Sequence, residues 1–103
     1  MTRWGLKEET VQKLREVFSK FSEITEVRIF GSRALGNFKP GSDVDLALYG
    51  KEPLHCATRV SALLNQELPL PYHFDVVDYV AVERPEFREH IDRVSQSIYR
   101  RQA

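Results

Sequence analysis

The sequence predicts an α/β fold of the α+β type, a small mixed sheet of three to four strands flanked by helices. Three observations lead there. Apolar residues recur at helical spacing near both ends and in the middle of the chain. Between those stretches lie short runs with strand-type alternation. The resulting order is helix, strand, strand, helix, strand, helix. No internal repeat, low-complexity stretch or linker interrupts it, so residues 1–103 read as one domain.

Lys7 to Phe21 reads as the first helix, because Val11, Leu14, Phe18 and Phe21 recur at steps of three and four. Glu8 and Glu9 suit its positive N-terminal end. Ile24 to Phe30 alternates as a strand, with Ile24, Glu26, Arg28 and Phe30 on one side and Thr25, Val27 and Ile29 on the other. Gly31 to Gly41, with three glycines and Pro40, reads as a loop with a short helical turn from Ser32 to Leu35. Asp43 to Tyr49 is the second strand. Val44, Leu46 and Leu48 face one way; Asp43, Asp45, Ala47 and Tyr49 face the other. Gly50 to Pro53 is turn material. Leu54 to Leu68 is the second helix, with Val60, Leu63, Leu64 and Leu68 inward, and Pro69 and Pro71 end it. His73 to Tyr79 is the third strand. Pro85 suits the first position of a last helix. That helix is expected to run to about Arg100, with Phe87, Ile91, Val94 and Ile98 on one face. Arg100 and Arg101 would then offset its C-terminal dipole.

The bulk properties exclude several classes. Fifteen Lys and Arg balance fifteen Asp and Glu, so no broad basic field grips nucleic acid unspecifically. Cys56 is the single cysteine, which rules out an intramolecular disulfide or a multi-cysteine metal site. The N-terminal residues lack a signal-type apolar stretch. No run approaches the ~20 apolar residues of a membrane span. The chain reads as soluble and cytoplasmic.

The chemistry concentrates in two short motifs. Asp43 and Asp45 stand at i and i+2 of a strand, so their carboxylates point the same way, ~6.6 Å apart along it. Side by side they repel, and aspartate disfavours strands. A divalent cation would remove that cost, and oxygen ligands suit Mg²⁺ or Mn²⁺. Such a pair can serve two metals in nucleotidyl transfer. Alone, an Asp-x-Asp pattern is short and common. Gly31-Ser32 adds a strand exit where backbone can approach a ligand and amides can favour an anion. Arg33 and Lys39 are candidate counter-charges for a triphosphate. No Walker-type lysine follows, since Asn37 comes after Gly36. Asp75, between Phe74 and Val76, is the third candidate if its strand lies beside the second. Asp78 competes, but its parity puts it on the opposite face. His55, His73 and His90 lack ligand spacing among themselves. Cys56 and His55 are adjacent, so on a helix they would not face each other. Trp4 and Tyr72 would stack on a base or, more simply, pack.

Gly31-Ser32, ten intervening residues and then Asp43-Val44-Asp45 resembles the signature of the DNA polymerase beta-like nucleotidyltransferase superfamily. The Gly-Ser-Arg-x-x-Gly form at Gly31 to Gly36 is most similar to its minimal nucleotidyltransferases. The resemblance spans roughly Ile24 to Asp78. It implies a nucleotidyltransferase fold. It also implies a nucleotide held at Gly31, Ser32, Arg33 and Ser42. Two Mg²⁺ ions would sit on Asp43, Asp45 and Asp75, with Asp75 helping to deprotonate an attacking hydroxyl. The reaction implied is transfer of AMP from ATP to that hydroxyl, with release of pyrophosphate. Members of the minimal group often act as antitoxins for small helical HEPN proteins, some by adenylylating a tyrosine. Larger relatives carry an added substrate domain, so here the acceptor would be bound by a partner, by a second copy in a homo-oligomer, or not at all. The alternatives are a non-catalytic antitoxin acting by complex formation, and transfer to RNA or a small molecule. Neutral charge disfavours RNA.

Overall fold

The computed structural model of the protein describes residues 3–51 and 55–102. Its elements are α1 (Glu8–Ser19), β1 (Ile24–Phe30), α2 (Gly31–Leu35), β2 (Val44–Gly50), α3 (Ala57–Ala62), β3 (Phe74–Asp78), α4 (Pro85–Val94) and β4 (Gln96–Arg100). A π-helical turn, Leu63–Glu67, extends α3, and a 3-10 turn, Tyr79–Ala81, follows β3. The strands form one mixed sheet in the order β3-β2-β1-β4. β1 is antiparallel to both β2 and β4, whereas β2 and β3 run parallel. The parallel pair needs a crossover, and α3 supplies it.

The sheet separates two apolar layers. On one face Val27, Ile29, Val44, Leu46, Leu48, Phe74 and Ile98 join Val11, Leu14 and Phe18 of α1 and Val60 and Leu64 of the second helical segment. On the other, Phe30 and Ala47 meet Val82 and Ile91 in a smaller cluster completed by Tyr49, Val77, Tyr79 and Phe87. This is the two-faced burial that alternation in β2 predicts. β1 departs from it at one end. A register shift between Ile24 and Glu26 carries Ile24 into the first core, with Val27 rather than with Phe30.

The last helix is shorter than its periodicity suggests. It ends at Val94, and Gln96–Arg100 forms β4 against β1. The four-residue step from Val94 to Ile98 imitates a helical repeat, but the chain turns extended at Ser95. Arg28 holds that turn. Its Nε donates to Ser95 Oγ at 2.7 Å and its Nη2 to the Ser95 carbonyl at 2.8 Å. Arg100 and Arg101 therefore do not offset a helix dipole. Arg100 bonds Glu26 at 3.0 Å, and Arg101 donates to the carbonyls of Ile24 and Phe21 at 3.0 and 2.9 Å.

The second helix begins at Ala57; its expected start, Leu54, lies outside the described residues together with Glu52 and Pro53 of the turn expected at Gly50 to Pro53, and Gly50 itself ends β2. The wide turn at its C-terminal end has a use. Asn65 accepts from the Phe74 amide at 2.8 Å and donates to the Phe74 carbonyl at 2.9 Å, which registers the start of β3. Tyr79, expected in the third strand, belongs to the 3-10 turn. No helix among the described residues is long and apolar enough to cross a membrane.

Candidate active site

The site lies where β1 ends and β2 and β3 begin, on the α4 side of the sheet. Phe30 and Asp45 are register partners across β1 and β2, and Asp45 and Asp75 are partners across β2 and β3. In-register neighbours project to the same face, so Asp75 stands beside Asp45. Asp43, expected to open the second strand, lies just ahead of β2, which begins at Val44, and is close enough for its charge to act on Asp45. The Val44 amide donates to the His73 carbonyl at 2.9 Å and starts the parallel ladder just ahead of these residues.

Three negative charges close together have an electrostatic signature. Asp45 is half-buried, and its carboxyl is pushed up to about 6. Burial is the main cause, followed by the charges of Asp75 and Asp43, with Arg33 and His73 acting in opposition. Asp43 and Asp75 are exposed, and Asp43 Oδ1 lies 3.5 Å from His73 Nδ1. Among the described residues, no three His, Cys, Asp or Glu side chains already form a cage for one ion. The charges of Asp43 and Asp75 act on Asp45 without the three side chains converging to a point. Their oxygen-only donor set still fits a hard divalent cation.

Gly31 is required by this arrangement. Its φ is +73°, and a methyl group built on it would overlap the Asp45 carboxylate. Any other residue would be strained and would displace Asp45. α2 starts at Gly31 itself and ends at Leu35, capped by Gly36, whose amide donates to the Ser32 carbonyl at 2.9 Å. Ser32 is partly exposed beside the acidic strand ends.

Two expected nucleotide contacts sit differently. Arg33 is 3% exposed, and its guanidinium bonds the carbonyls of Ser42 and Trp4. It is committed to the protein and does not reach toward a triphosphate. The Ser42 hydroxyl accepts the Lys39 amide at 3.0 Å, while the Ser42 amide donates to the Lys39 carbonyl at 3.0 Å. That side chain closes its own loop. Lys39 is exposed.

The weaker candidates resolve into packing. Trp4 is buried and donates its indole N–H to Gln96 at 3.1 Å. Tyr72 packs edge-on against Phe74, with ring centroids 6.3 Å apart. Asp78 lies at the far end of β3 and accepts the Ala57 amide at 3.2 Å, at the start of α3. Cys56 is buried, and His90 packs against Phe30. Sequence reasoning missed His73 as a neighbour of Asp43. Its signal was its place two residues before Asp75.

The polymerase beta nucleotidyltransferase family matches residues 12–103. The chain belongs to this family. This nucleotidyltransferase is 32% identical over 90 residues to the probable protein adenylyltransferase MntA of Haemophilus influenzae, covering 86% of the chain and 78% of that protein. Its fold is similar to that of a toxin–antitoxin crystallised with AMP-PNP, with a TM-score of 0.71 and 19% identity over 94% of this chain and 76% of that one. It is also similar to a structure of the tri-AMPylated Shewanella oneidensis HEPN toxin in complex with its MNT antitoxin, with a TM-score of 0.63 and 13% identity over 93% and 74% of the two chains.

Proposed function

We propose that the protein transfers AMP from ATP to a hydroxyl, a tyrosine side chain, on a small helical HEPN partner and thereby silences that partner as an antitoxin. The observation that carries this reading is the in-register pairing of Asp45 with Asp75, with Asp45 directly against Gly31 and the Asp43 charge acting on it. The MntA and HEPN–MNT relatives supply the substrate and partner classes.

The residues divide the work by position. Asp43, Asp45 and Asp75 would hold Mg²⁺. Two bound ions would supply charge neutralisation for the triphosphate and for the developing charge at phosphorus. Gly31 and Ser32 would present backbone N–H and hydroxyl groups to the terminal phosphates, and exposed Lys39 adds positive charge. Asp75 accepts the proton of the attacking hydroxyl. The hydroxyl oxygen bonds to the α-phosphorus, the bond to the bridging oxygen breaks, and pyrophosphate leaves with that electron pair.

The raised Asp45 carboxyl supports a cation site, because a site built for a cation is under-neutralised without one. The zero net charge favours a protein acceptor over RNA. The test is label transfer from α-labelled ATP with Mg²⁺ to the partner protein, to tRNA or to an aminoglycoside. Label on the partner, lost in Asp43→Asn/Asp45→Asn, is expected. Label on tRNA or drug alone overturns the acceptor. Full protection of cells by the double variant at normal expression overturns catalysis as the means of silencing.

A further inference from the structure

Among the described residues Arg33 is the one charged side chain that is buried. A buried guanidinium is costly unless its donors are met. Here they meet backbone. Nε and Nη2 donate to the Ser42 carbonyl at 3.1 and 2.8 Å, and Nη1 donates to the Trp4 carbonyl at 2.9 Å. Its plane lies against two rings, 5.0 Å from the Phe38 centroid and 5.2 Å from that of Tyr72.

These partners come from every segment that forms the site. Arg33 itself follows Ser32 on α2. Ser42 directly precedes Asp43, and Tyr72 lies three residues before Asp75. The Trp4 carbonyl belongs to a tight turn closed by mutual Arg3 and Leu6 backbone bonds of 3.2 and 2.8 Å. That turn packs hard on the guanidinium. Gly5 has a φ of +72°, and a methyl group on it would overlap both the Phe38 ring and Arg33 Nη1. A second link runs in parallel, since Gln96 accepts from the Trp4 indole and donates to the Ala34 carbonyl of α2 at 3.0 Å.

We propose that Arg33, held from behind by the Trp4–Gly5 turn, is a positioning residue that fixes the Gly31–Ser32 turn against the acidic ends of β2 and β3. It touches neither nucleotide nor metal. The proposal rests on the nucleotide-transfer reading of the site. Its rival is that Arg33 serves only as a nearby positive charge balancing the carboxylates.

Binding of Mn²⁺ alone, without nucleotide, separates the two because the signs differ. Removing a neighbouring positive charge tightens cation binding. Loosening the groups that orient ligands weakens it, by about ten- to a hundredfold in other metal sites. Arg33→Met, read by water-proton relaxation, is therefore expected to weaken Mn²⁺ binding by about tenfold. Tighter binding overturns the proposal. Arg33→Lys keeps the charge but cannot bridge two carbonyls, and it is expected to weaken Mn²⁺ as well. Wild-type affinity in Arg33→Lys overturns the proposal.

Gly5→Ala displaces the brace while leaving every charge in place, and a weakened Mn²⁺ site is expected there too. It decides the matter if the Arg33 variants fail to fold by circular dichroism. Unchanged Mn²⁺ affinity in a folded Gly5→Ala protein argues against the brace. Failure of the functional reading looks different, as Mn²⁺ binding indifferent to Asp43→Asn. The brace is then judged by hydrogen exchange of the Ser42 amide. Faster exchange in Arg33→Lys supports it, and unchanged exchange overturns it.

Discussion

The two faces of the sheet are built to opposite ends. The face under α1 and α3 is closed: Val27, Ile29, Val44, Leu46 and Leu48 are fully buried in one continuous apolar layer. The face under α4 is apolar only over part of its length. Phe30, Ala47, Val82 and Ile91 form a small cluster, and beyond it the same strands carry Asp45 and Asp75 side by side. Adjacent residues of one strand thus serve opposite ends. Leu46 is wholly buried, while its neighbour Asp45 is half-buried, and that burial, with the charges of Asp75 and Asp43 added, raises its carboxyl to about 6. The first face stabilises the fold; the second carries a desolvated carboxylate beside like charges, a cost that a bound cation would relieve.

Substitutions on either side of β2 test that contrast. Leu46→Ala removes a fully buried side chain and should cost about 2–5 kcal/mol of stability. Denaturant titration measures it, and the folded fraction should still bind Mg²⁺ and ATP. A loss under about 1 kcal/mol would mean that the first face is not close-packed.

Asp45→Asn should do the reverse, raising the stability of the metal-free protein while abolishing its response to Mg²⁺. The sign follows from proton uptake. The Asp45 carboxyl is pushed up to about 6 in the folded protein, above the ordinary aspartate value, so the folded state binds the proton more tightly. That contribution is fully present below about pH 4 and is lost as pH rises through about 6. The advantage of Asn over Asp should therefore grow across that window and level off above it. Its size should be on the order of 1–2 kcal/mol, given the partial solvent screening of the site. A pH-independent difference would remove Asp45 as the source of the strain.

The smallest effect belongs to the outer part of the second face. Tyr79 stacks on Tyr49 with centroids 4.6 Å apart and donates to Asp92 at 2.5 Å. Tyr79→Phe keeps the stack and removes the hydroxyl, so thermal unfolding should register about 1 kcal/mol or less. Metal and nucleotide binding should not change, because this pair is remote from the acidic strand ends. A loss of either would extend the functional region along the whole face.

The sequence by itself determined the elements whose signals are local. β1 is legible from its alternation, α1 from its three-and-four spacing, and the acidic pair from its i, i+2 placement on a strand. Period-two geometry predicts Asp43 and Asp45 on one face, although the strand itself begins only at Val44. Only the tertiary structure decided what depends on partners distant in the chain. Whether Asp75 joins Asp45 depends on β3 lying parallel to β2 in that register, and pairing between strands leaves no trace in local spacing. The Val94–Ile98 step reads equally well as helix, and β4 emerges because Arg28 and the free edge of β1 capture the chain after Ser95. Arg33 carries a charge that sequence reasoning assigns to solvent or ligand. Its burial follows from carbonyls and rings supplied by residues 4, 38, 42 and 72, which come together only when the chain has folded.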